Sequence, residues 1–352
     1  MSLERYNRQI LLAFIGEEGQ RRICQSTVVV AGCGALGSTA ANVLARAGVG
    51  CLRIVDRDFV EEVNLQRQTL FDEQDVRECL PKAVAAERRL SRINSTIRIE
   101  GRIADINPSN VEQLIAGATV VVDATDNFET RFLLNDACVK HSIPWVYGGA
   151  VGATGMSLTI VPGRTPCLRC VFEGAPPPGS APTCEIMGIL AGAAGIIGNW
   201  QATEALKLCA GRLDGVSRRL FSLDLWTGEA RNFNVERARE SAACPCCKQR
   251  RFEFLEASAA AGATVLCGRS AVQVRPPGSA RVELRALAKA LGATGGVEGI
   301  LCNEYLLRFS APAGGAGGRR LEVTVFADGR AIVKGTGELA AARAAYAKYV
   351  GM

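Results

Sequence analysis

Hydrophobic and polar positions along the first half of the chain switch repeatedly between a strand pattern and a helix pattern. Residues 2–25 read as helical with mixed charge. "STVVVAGCGALGSTAANVLARAGV" then predicts a strand, a glycine loop and a helix, and "CLRIVD" predicts a second strand. "PKAVAAERRLSRIN" predicts a helix with Pro81 in its first turn, where the missing N–H costs little. "TIRIEGRI" is a third strand and "VEQLIAGA" a helix. "TVVVDAT" is a fourth strand, and its unbroken β-branched run marks it as buried on both faces. "NFETRFLLNDACVKHS" follows as a helix and "IPWVYGGA" as a strand. This alternation predicts an α/β fold, a doubly wound and mostly parallel sheet. The pattern then turns antiparallel in "ATGMSLTIVP" and "RRLFSLDLWTGEARNFNVE". A boundary is expected near residue 255, giving domains 1–255 and 256–352. The second reads as a small α+β domain: "ATVLCGRSAVQVRP" as a strand, "VELRALAKALG" as a helix, "NEYLLRFSAP" as a strand. A hairpin turning at Asp328-Gly329 and a closing helix, "ELAAARAAYAKYV", complete it.

Composition narrows the class. The 352 residues are 48% hydrophobic and carry a formal charge of +6, with only seven lysines among the 41 cations. That excess suits an anionic substrate or an acidic partner and is too weak and dispersed to indicate nucleic acid. The N-terminus has no apolar signal core. The most apolar segment, 186–200, is too short to span a bilayer and is expected to form a tightly packed buried helix, so no membrane association is predicted. Fourteen cysteines in a cytoplasmic chain stay reduced and read as metal ligands, nucleophiles or core residues. The single histidine, His141, lies at a helix-to-strand turn and is expected to be structural.

Gly32-Cys33-Gly34-Ala35-Leu36-Gly37 is a G-x-G-x-x-G motif between strand and helix. Its glycines Gly32, Gly34 and Gly37 let the backbone approach phosphate, and Asp56, at the end of the next strand, is placed to accept ribose hydroxyls. The Rossmann-like arrangement suggests NAD first. The stretch "VEEVNLQRQTLF" argues otherwise, because Asn64, Arg67 and Gln68 add polar and cationic groups beside Asp56. Lys82 opens the next helix, where ammonium and helix dipole act together on a phosphate. Asp126 and Asn127 follow the buried fourth strand, and an acid there is suited to hold magnesium against phosphate oxygens. Two cations and a metal-binding acid equip a site for triphosphate chemistry, and hydride transfer needs none of them.

Two C-x-x-C pairs, Cys167/Cys170 and Cys244/Cys247, suit the two halves of a tetrahedral zinc site built without histidine. Cys246 is ambiguous; the spacing favours 244 and 247. Cys184 follows a Pro- and Gly-rich loop and precedes an apolar helix, and a thiol at a helix N-terminus is a candidate nucleophile.

"RYNRQI", the glycine loop, "D-x-D-x-V-x-x-x-N-L-x-R-Q" from Asp56 and Asp58 onward, "PK" and "DATDN", in this order, resemble the ThiF/MoeB/HesA family, bacterial relatives of ubiquitin-activating enzymes. The resemblance covers about residues 4–250. It implies ATP contacts at Gly34, Asp56, Asn64, Arg67, Lys82 and Asp126, with Arg8 supplied from the neighbouring subunit of a homodimer. It implies an adenylyltransferase that activates the C-terminal Gly-Gly of a ubiquitin-like sulfur-carrier protein, in thiamine, molybdopterin or related biosynthesis. It supports the zinc assignment and places Cys184 where family members are candidates for a covalent bond to the carrier. A sulfurtransferase or cysteine desulfurase is the downstream partner such chemistry would meet. Residues 256–352 resemble the extra domain of longer bacterial members. Two alternatives stand beside this reading: an NAD-dependent oxidoreductase, and a non-catalytic module holding a ubiquitin-like partner.

Overall fold

The computed structural model describes residues 2–172, 174, 184–240, 243–257, 263–266, 270–276, 281–313 and 320–351, with backbone alone at 184–185 and 263–266. The chain divides into two compact units, Met1–Ser258 and Ala259–Met352.

In the first unit the predicted N-terminal helix is broken. A 3-10 turn (Glu4–Tyr6) leads into α1 (Asn7–Ile10), and α2 starts only at Gly16 (Gly16–Gln25). The intervening Leu11, Leu12 and Phe14 are exposed, so this stretch lacks the buried apolar face that would hold a continuous helix. Next come β1 (Thr27–Ala31), α3 (Ala35–Ala47), β2 (Cys51–Asp56), α4 (Glu73–Arg77), α5 (Lys82–Ile93), β3 (Arg98–Ile103) and α6 (Val111–Ile115). They are followed by β4 (Val120–Asp123), α7 (Phe128–Lys140), β5 (Trp145–Val151), β6 (Thr154–Ile160) and α8 (Leu168–Val171). After α9 (Cys184–Met187) and α10 (Ala191–Cys209), the hairpin strands β7 (Arg219–Asp224) and β8 (Glu229–Asn234) and the short α11 (Glu253–Glu256) complete the unit.

The eight strands form one sheet in the order β3-β2-β1-β4-β5-β6-β7-β8. The first five run parallel and the last three antiparallel. Strand order reverses between β1 and β4, and doubly wound sheets bind ligands outside the carboxyl ends of such a pair. The valines of β1 and β4 are fully covered on both faces, as their unbroken runs require. One face carries α6 and α7, with Phe132, Trp145 and Ile160 in its core; the other carries α3, α5 and α10.

The segment expected to be one buried helix from 186 is two elements. Gly188 at φ +74° breaks it, α10 begins at Ala191, and Ile186 and Met187 in α9 are 70% and 62% exposed. From Ala193 onward α10 buries alanine, glycine and Ile197, as its composition predicts. Among the described residues no helix is long and apolar enough to cross a membrane.

The second unit is a six-stranded antiparallel sheet, β11-β12-β13-β14-β10-β9, with α12 (Leu284–Gly292) and α13 (Leu339–Tyr349) packed into its core. Its strands are β9 (Ala263–Leu266), β10 (Ala271–Val274), β11 (Glu298–Cys302), β12 (Leu306–Pro312), β13 (Arg320–Phe326) and β14 (Ala331–Lys334). The single strand expected over 263–276 is in fact the antiparallel pair β9 and β10, and β11 is an edge strand the pattern did not announce. The β13–β14 hairpin turns at Asp328-Gly329 with Gly329 at φ +82°, and the Tyr346 hydroxyl donates to the Gly329 carbonyl at 2.6 Å.

Candidate nucleotide site and four-thiol centre

The glycine loop leaves β1 at the switch point, and each glycine meets a different demand. A Cβ on Gly32, which has φ +88°, would lie 2.6 Å from the Ala124 carbonyl oxygen of the loop after β4, and one on Gly37 would fall on the Gly32 carbonyl. Gly34 faces open space, its nearest neighbour being Gln68 Nε2. The first and third glycines therefore close the turn and the helix packing, while the second leaves room for a ligand. Gly34 is also the N-cap of α3, and its position carries no side chain to occupy the first N–H groups.

Asp56 ends β2 and turns its carboxylate onto this loop. Its Oδ2 accepts from the Cys33 N–H at 2.6 Å and its Oδ1 from the Asp58 N–H at 2.7 Å. Burial pushes the Asp56 carboxyl up, Lys82 opposes that shift, and Asp58 adds to it. Lys82 is the first residue of α5, after Pro81. Its Nζ lies 3.4 Å from Asp58 Oδ2, and its N–H donates to the Asp58 carbonyl at 2.9 Å. The ammonium is thus a buried cation held by an acid at the site's edge.

Asn64 is buried in a 3-10 turn (Glu62–Asn64), where its Oδ1 accepts from the Glu61 N–H at 3.2 Å. Its carbonyl receives the N–H groups of Arg67 and Gln68, which fixes the three residues together. Arg67 Nη1 donates to the Val63 carbonyl at 2.8 Å. Gln68 is buried with no hydrogen-bond partner at Oε1 among the described residues. A buried amide oxygen beside the open Gly34 is an acceptor available to a ligand.

Asp126 is exposed in the loop after β4, and Asn127 donates to it from Nδ2 at 3.2 Å. Asn127 also caps α7, its Oδ1 accepting from the Thr130 N–H at 2.8 Å. Beneath this loop lies a buried ion pair. Arg131 Nε stands 3.7 Å from Asp123 Oδ2, and Arg131 Nη2 donates to the Thr125 carbonyl at 2.8 Å. Asp123 Oδ1 accepts from the N–H and hydroxyl of Thr125. The pair braces the backbone on both sides of Thr125 and so the approach to Asp126. From α10, Gln201 donates to the Asp123 and Val146 carbonyls at 2.5 and 3.1 Å, in space that Gly148 leaves by having no Cβ.

Sequence reading passed over Arg57, Asp105, Asp123 and Arg131. Arg57 Nη1 donates to Asp105 Oδ1 at 3.0 Å, and Asp58, Asp105 and Asp126 together hold its guanidinium in the charged form against desolvation. The signal available was position: Arg57 stands between two acids of the motif. Arg8 is elsewhere. Its neighbour Gln9 donates to the Ala47 carbonyl at the far end of α3, about 18 Å along that helix from the glycine loop. The side chain of Cys184 lies outside the described residues. His141 ends α7, with Nε2 2.6 Å from Glu112 Oε1.

The two C-x-x-C pairs meet. Cys167 Sγ lies 3.7 Å from Cys170 Sγ and 3.6 Å from Cys244 Sγ, and Cys170 and Cys247 are 3.4 Å apart. All four sulfurs fall within 4.8 Å of one another. A tetrahedral zinc with bonds of about 2.3 Å sets sulfurs about 3.8 Å apart, so the donor set fits that ion. Contacts from Cys167, Cys170 and Cys247 hold the Cys244 thiol below its ordinary range. The ambiguity at Cys246 resolves: it is fully buried and outside the cluster. Because β6 ends opposite Trp145, the first residue of β5, the cluster sits at the amino edge of the sheet, away from the glycine loop.

A family model described as the ThiF family matches residues 6–246. The chain belongs to the ThiF family. Among relatives of this ThiF-family chain, the sulfur carrier protein ThiS adenylyltransferase of Bacillus subtilis is 42% identical over 347 residues, 99% of each chain. The SAMP-activating enzyme E1 of Haloferax volcanii is 41% identical over 254 residues, 72% of this chain and 92% of the relative. Among solved structures, E. coli MccB with ATP matches with a TM-score of 0.60 and 24% identity, covering 69% of this chain and 74% of that one. That likeness shows the shared fold.

Proposed function

We propose that the chain is an ATP-dependent adenylyltransferase acting on the C-terminal glycine of a ubiquitin-like sulfur-carrier protein. The observation that carries this reading is the full-length match to a relative named for that activity on ThiS. The site supports it. The carrier carboxylate attacks the α-phosphorus of ATP; a carboxyl–phosphate bond forms, the bond to the β-phosphate oxygen breaks, and pyrophosphate leaves. The carboxylate is already ionised at neutral pH, so no general base is needed, which suits a site without histidine. Catalysis is then orientation and charge neutralisation. Gly34 and the first turn of α3 receive phosphate, Asp56 and Gln68 face the nucleoside side, and Arg67 and Lys82 oppose the developing charge. Asp126 would hold magnesium, which supplies further charge neutralisation at the phosphates.

The same reading makes the protein a homodimer. Arg8 lies the length of α3 from its own glycine loop, so an Arg8 that contacts ATP must come from a second copy. The exposed Leu11, Leu12 and Phe14 beside it are apolar surface for that copy to cover. Zinc at the four thiols would hold the fold, in a cytoplasm where those thiols stay reduced.

ATP–pyrophosphate exchange tests the proposal. Exchange should appear only when a carrier ending in Gly-Gly is present, and removal of its last glycine should abolish it. Absence of exchange with every such carrier, or turnover of NAD instead, would refute the reading.

A further inference from the structure

The four-thiol centre rests on two buried polar residues of α7 that the nucleotide chemistry does not use. Asn135 and Asp136 are both fully buried. A buried amide must find partners for its oxygen and its NH2 group. Asn135 Oδ1 accepts from the Leu168 N–H at 2.8 Å, and Leu168 follows Cys167 directly. Asn135 Nδ2 donates to Cys246 Sγ at 3.2 Å, and Cys246 precedes Cys247. Leu168 offers a donor, so the amide oxygen must face it and the NH2 group is left facing sulfur. One planar group therefore touches both halves of a cluster whose pairs stand 77 residues apart in sequence. Asp136 adds a third tie, its Oδ2 accepting from the Phe254 N–H at 2.9 Å, beyond the second pair. Arg169, between Cys167 and Cys170, lies over the rings of Phe132 and Phe254 and completes the attachment to the same helix.

We propose that Asn135 is the positioning residue of the four-thiol centre: its side-chain amide sets the separation of the Cys167–Cys170 and Cys244–Cys247 segments so that the sulfurs stand at tetrahedral spacing. This inference rests on the zinc reading above and assigns Cys246 a role, as the acceptor through which the second pair is held. Asn135 contacts no ligand sulfur. It acts on the backbone beside one pair and on the thiol beside the other. Outer partners of this kind are worth about 10- to 100-fold in metal affinity.

The test uses the full chain loaded with zinc, titrated with a competing chromophoric chelator, and the same chain loaded with cobalt for its absorption spectrum. Asn135→Leu keeps the volume and removes both contacts; its zinc affinity should fall about 10- to 100-fold and its cobalt d–d bands should shift or weaken. Asn135→Asp keeps the acceptor for Leu168 and presents an oxygen to which the Cys246 thiol donates, so it should fall between Asn135→Leu and the wild type. A role in packing alone would lower stability without altering the cobalt bands and would not be rescued by aspartate. If Asn135→Leu does not fold, Cys246→Ala removes one of the two contacts without touching α7 and should weaken zinc several-fold. Wild-type affinity with an unchanged cobalt spectrum in the folded Leu variant, or failing that in Cys246→Ala, overturns the inference. A wild-type chain that takes up no zinc at all overturns the metal reading beneath it, and that failure shows in the parent protein before any variant is made.

Discussion

Replacing Lys82 by methionine keeps most of the side chain's length and removes its charge. In the wild type Nζ lies 3.4 Å from Asp58 Oδ2, with the two side chains 4% and 15% exposed. At that distance the gross attraction is about 5 kcal/mol for an effective dielectric constant of about 20; Asp58 keeps Arg57 Nε at 3.8 Å, so the loss falls below the roughly 3–5 kcal/mol of a fully stranded buried charge. A domain stable by about 5–15 kcal/mol survives such a loss, but with a clearly lower denaturation midpoint. If Lys82 also faces the triphosphate, ATP–pyrophosphate exchange should drop about 10²- to 10³-fold, the usual effect of deleting one preorganised charge contact. Asp58→Asn separates the two roles. In the Lys82→Met, Asp58→Asn double variant Asp58 no longer needs a counter-charge and only the buried Asp56 has lost its cation, so part of the stability should return. The hundredfold kinetic loss, measured against Asp58→Asn alone, should persist. The stability deficit should also depend on pH. Asp56 already holds its proton to higher pH than an unfolded aspartate because it is buried, and Lys82 works against that shift. Without Lys82 the native carboxyl binds its proton more tightly still. The native state then holds more protons than the unfolded chain above about pH 4, and stability falls as pH rises through that window. The variant's deficit should therefore be smallest at acid pH and grow toward neutrality. If the kinetic loss vanishes in the Asp58→Asn background, Lys82 serves only to neutralise its neighbour and the phosphate assignment is wrong.

Three further outcomes are expected. Arg131→Met unbraces the loop that carries Asp126 and should slow exchange roughly 10- to 100-fold, with partial rescue in Arg131→Lys; wild-type rates in a folded methionine variant would remove the brace from the mechanism. Metal analysis should find one zinc per chain, lost in Cys247→Ser with a fall in thermal midpoint and retained in Cys246→Ser; no zinc in protein purified without chelator would count decisively against the site. A mixed dimer of Arg8→Ala and Lys82→Ala chains should regain one working site where each parent homodimer has none, and a mixed dimer as inactive as its parents would end the shared-site idea.

What the sequence made legible follows from what leaves a periodic or local mark. The runs in β1 and β4 could lie only between two layers, and the glycine loop, Asp56 and Lys82 each follow or precede an element whose end is fixed by pattern. Strand order alone therefore carried these residues to one edge of the sheet. Ion pairs leave no such mark. Arg57 and Asp105 are separated by 48 positions, and nothing in either segment names the other. The Asp123–Arg131 pair was hidden differently, because Asp123 reads as the tail of a buried strand and Arg131 as a helix-surface charge. Cys246 and Cys247 are adjacent and chemically alike; spacing favoured Cys247, and the sulfur positions place it in the cluster while Cys246 accepts from Asn135. The helix expected from residue 186 failed at Gly188, whose left-handed φ broke the apolar run, while Gly192, Gly195 and Gly198 were carried within α10.

The meeting of Cys167 with Cys244 has a consequence in polymer terms. It closes a loop of 77 residues that contains α9, α10, β7 and β8. Pinning the ends of so long a loop removes about 4.5 kcal/mol of chain entropy from the unfolded ensemble, on the same reckoning used for covalent cross-links. A metal clip does this without oxidation and only after the second pair exists. During synthesis the ribosome has released more than two thirds of the chain before Cys247 can join the cluster. Until then α10, which reaches the switch point through Gln201, belongs to a segment tethered at one end. On the zinc reading proposed above, the first unit reaches its full stability only after Cys247 has left the ribosome and metal has closed this loop.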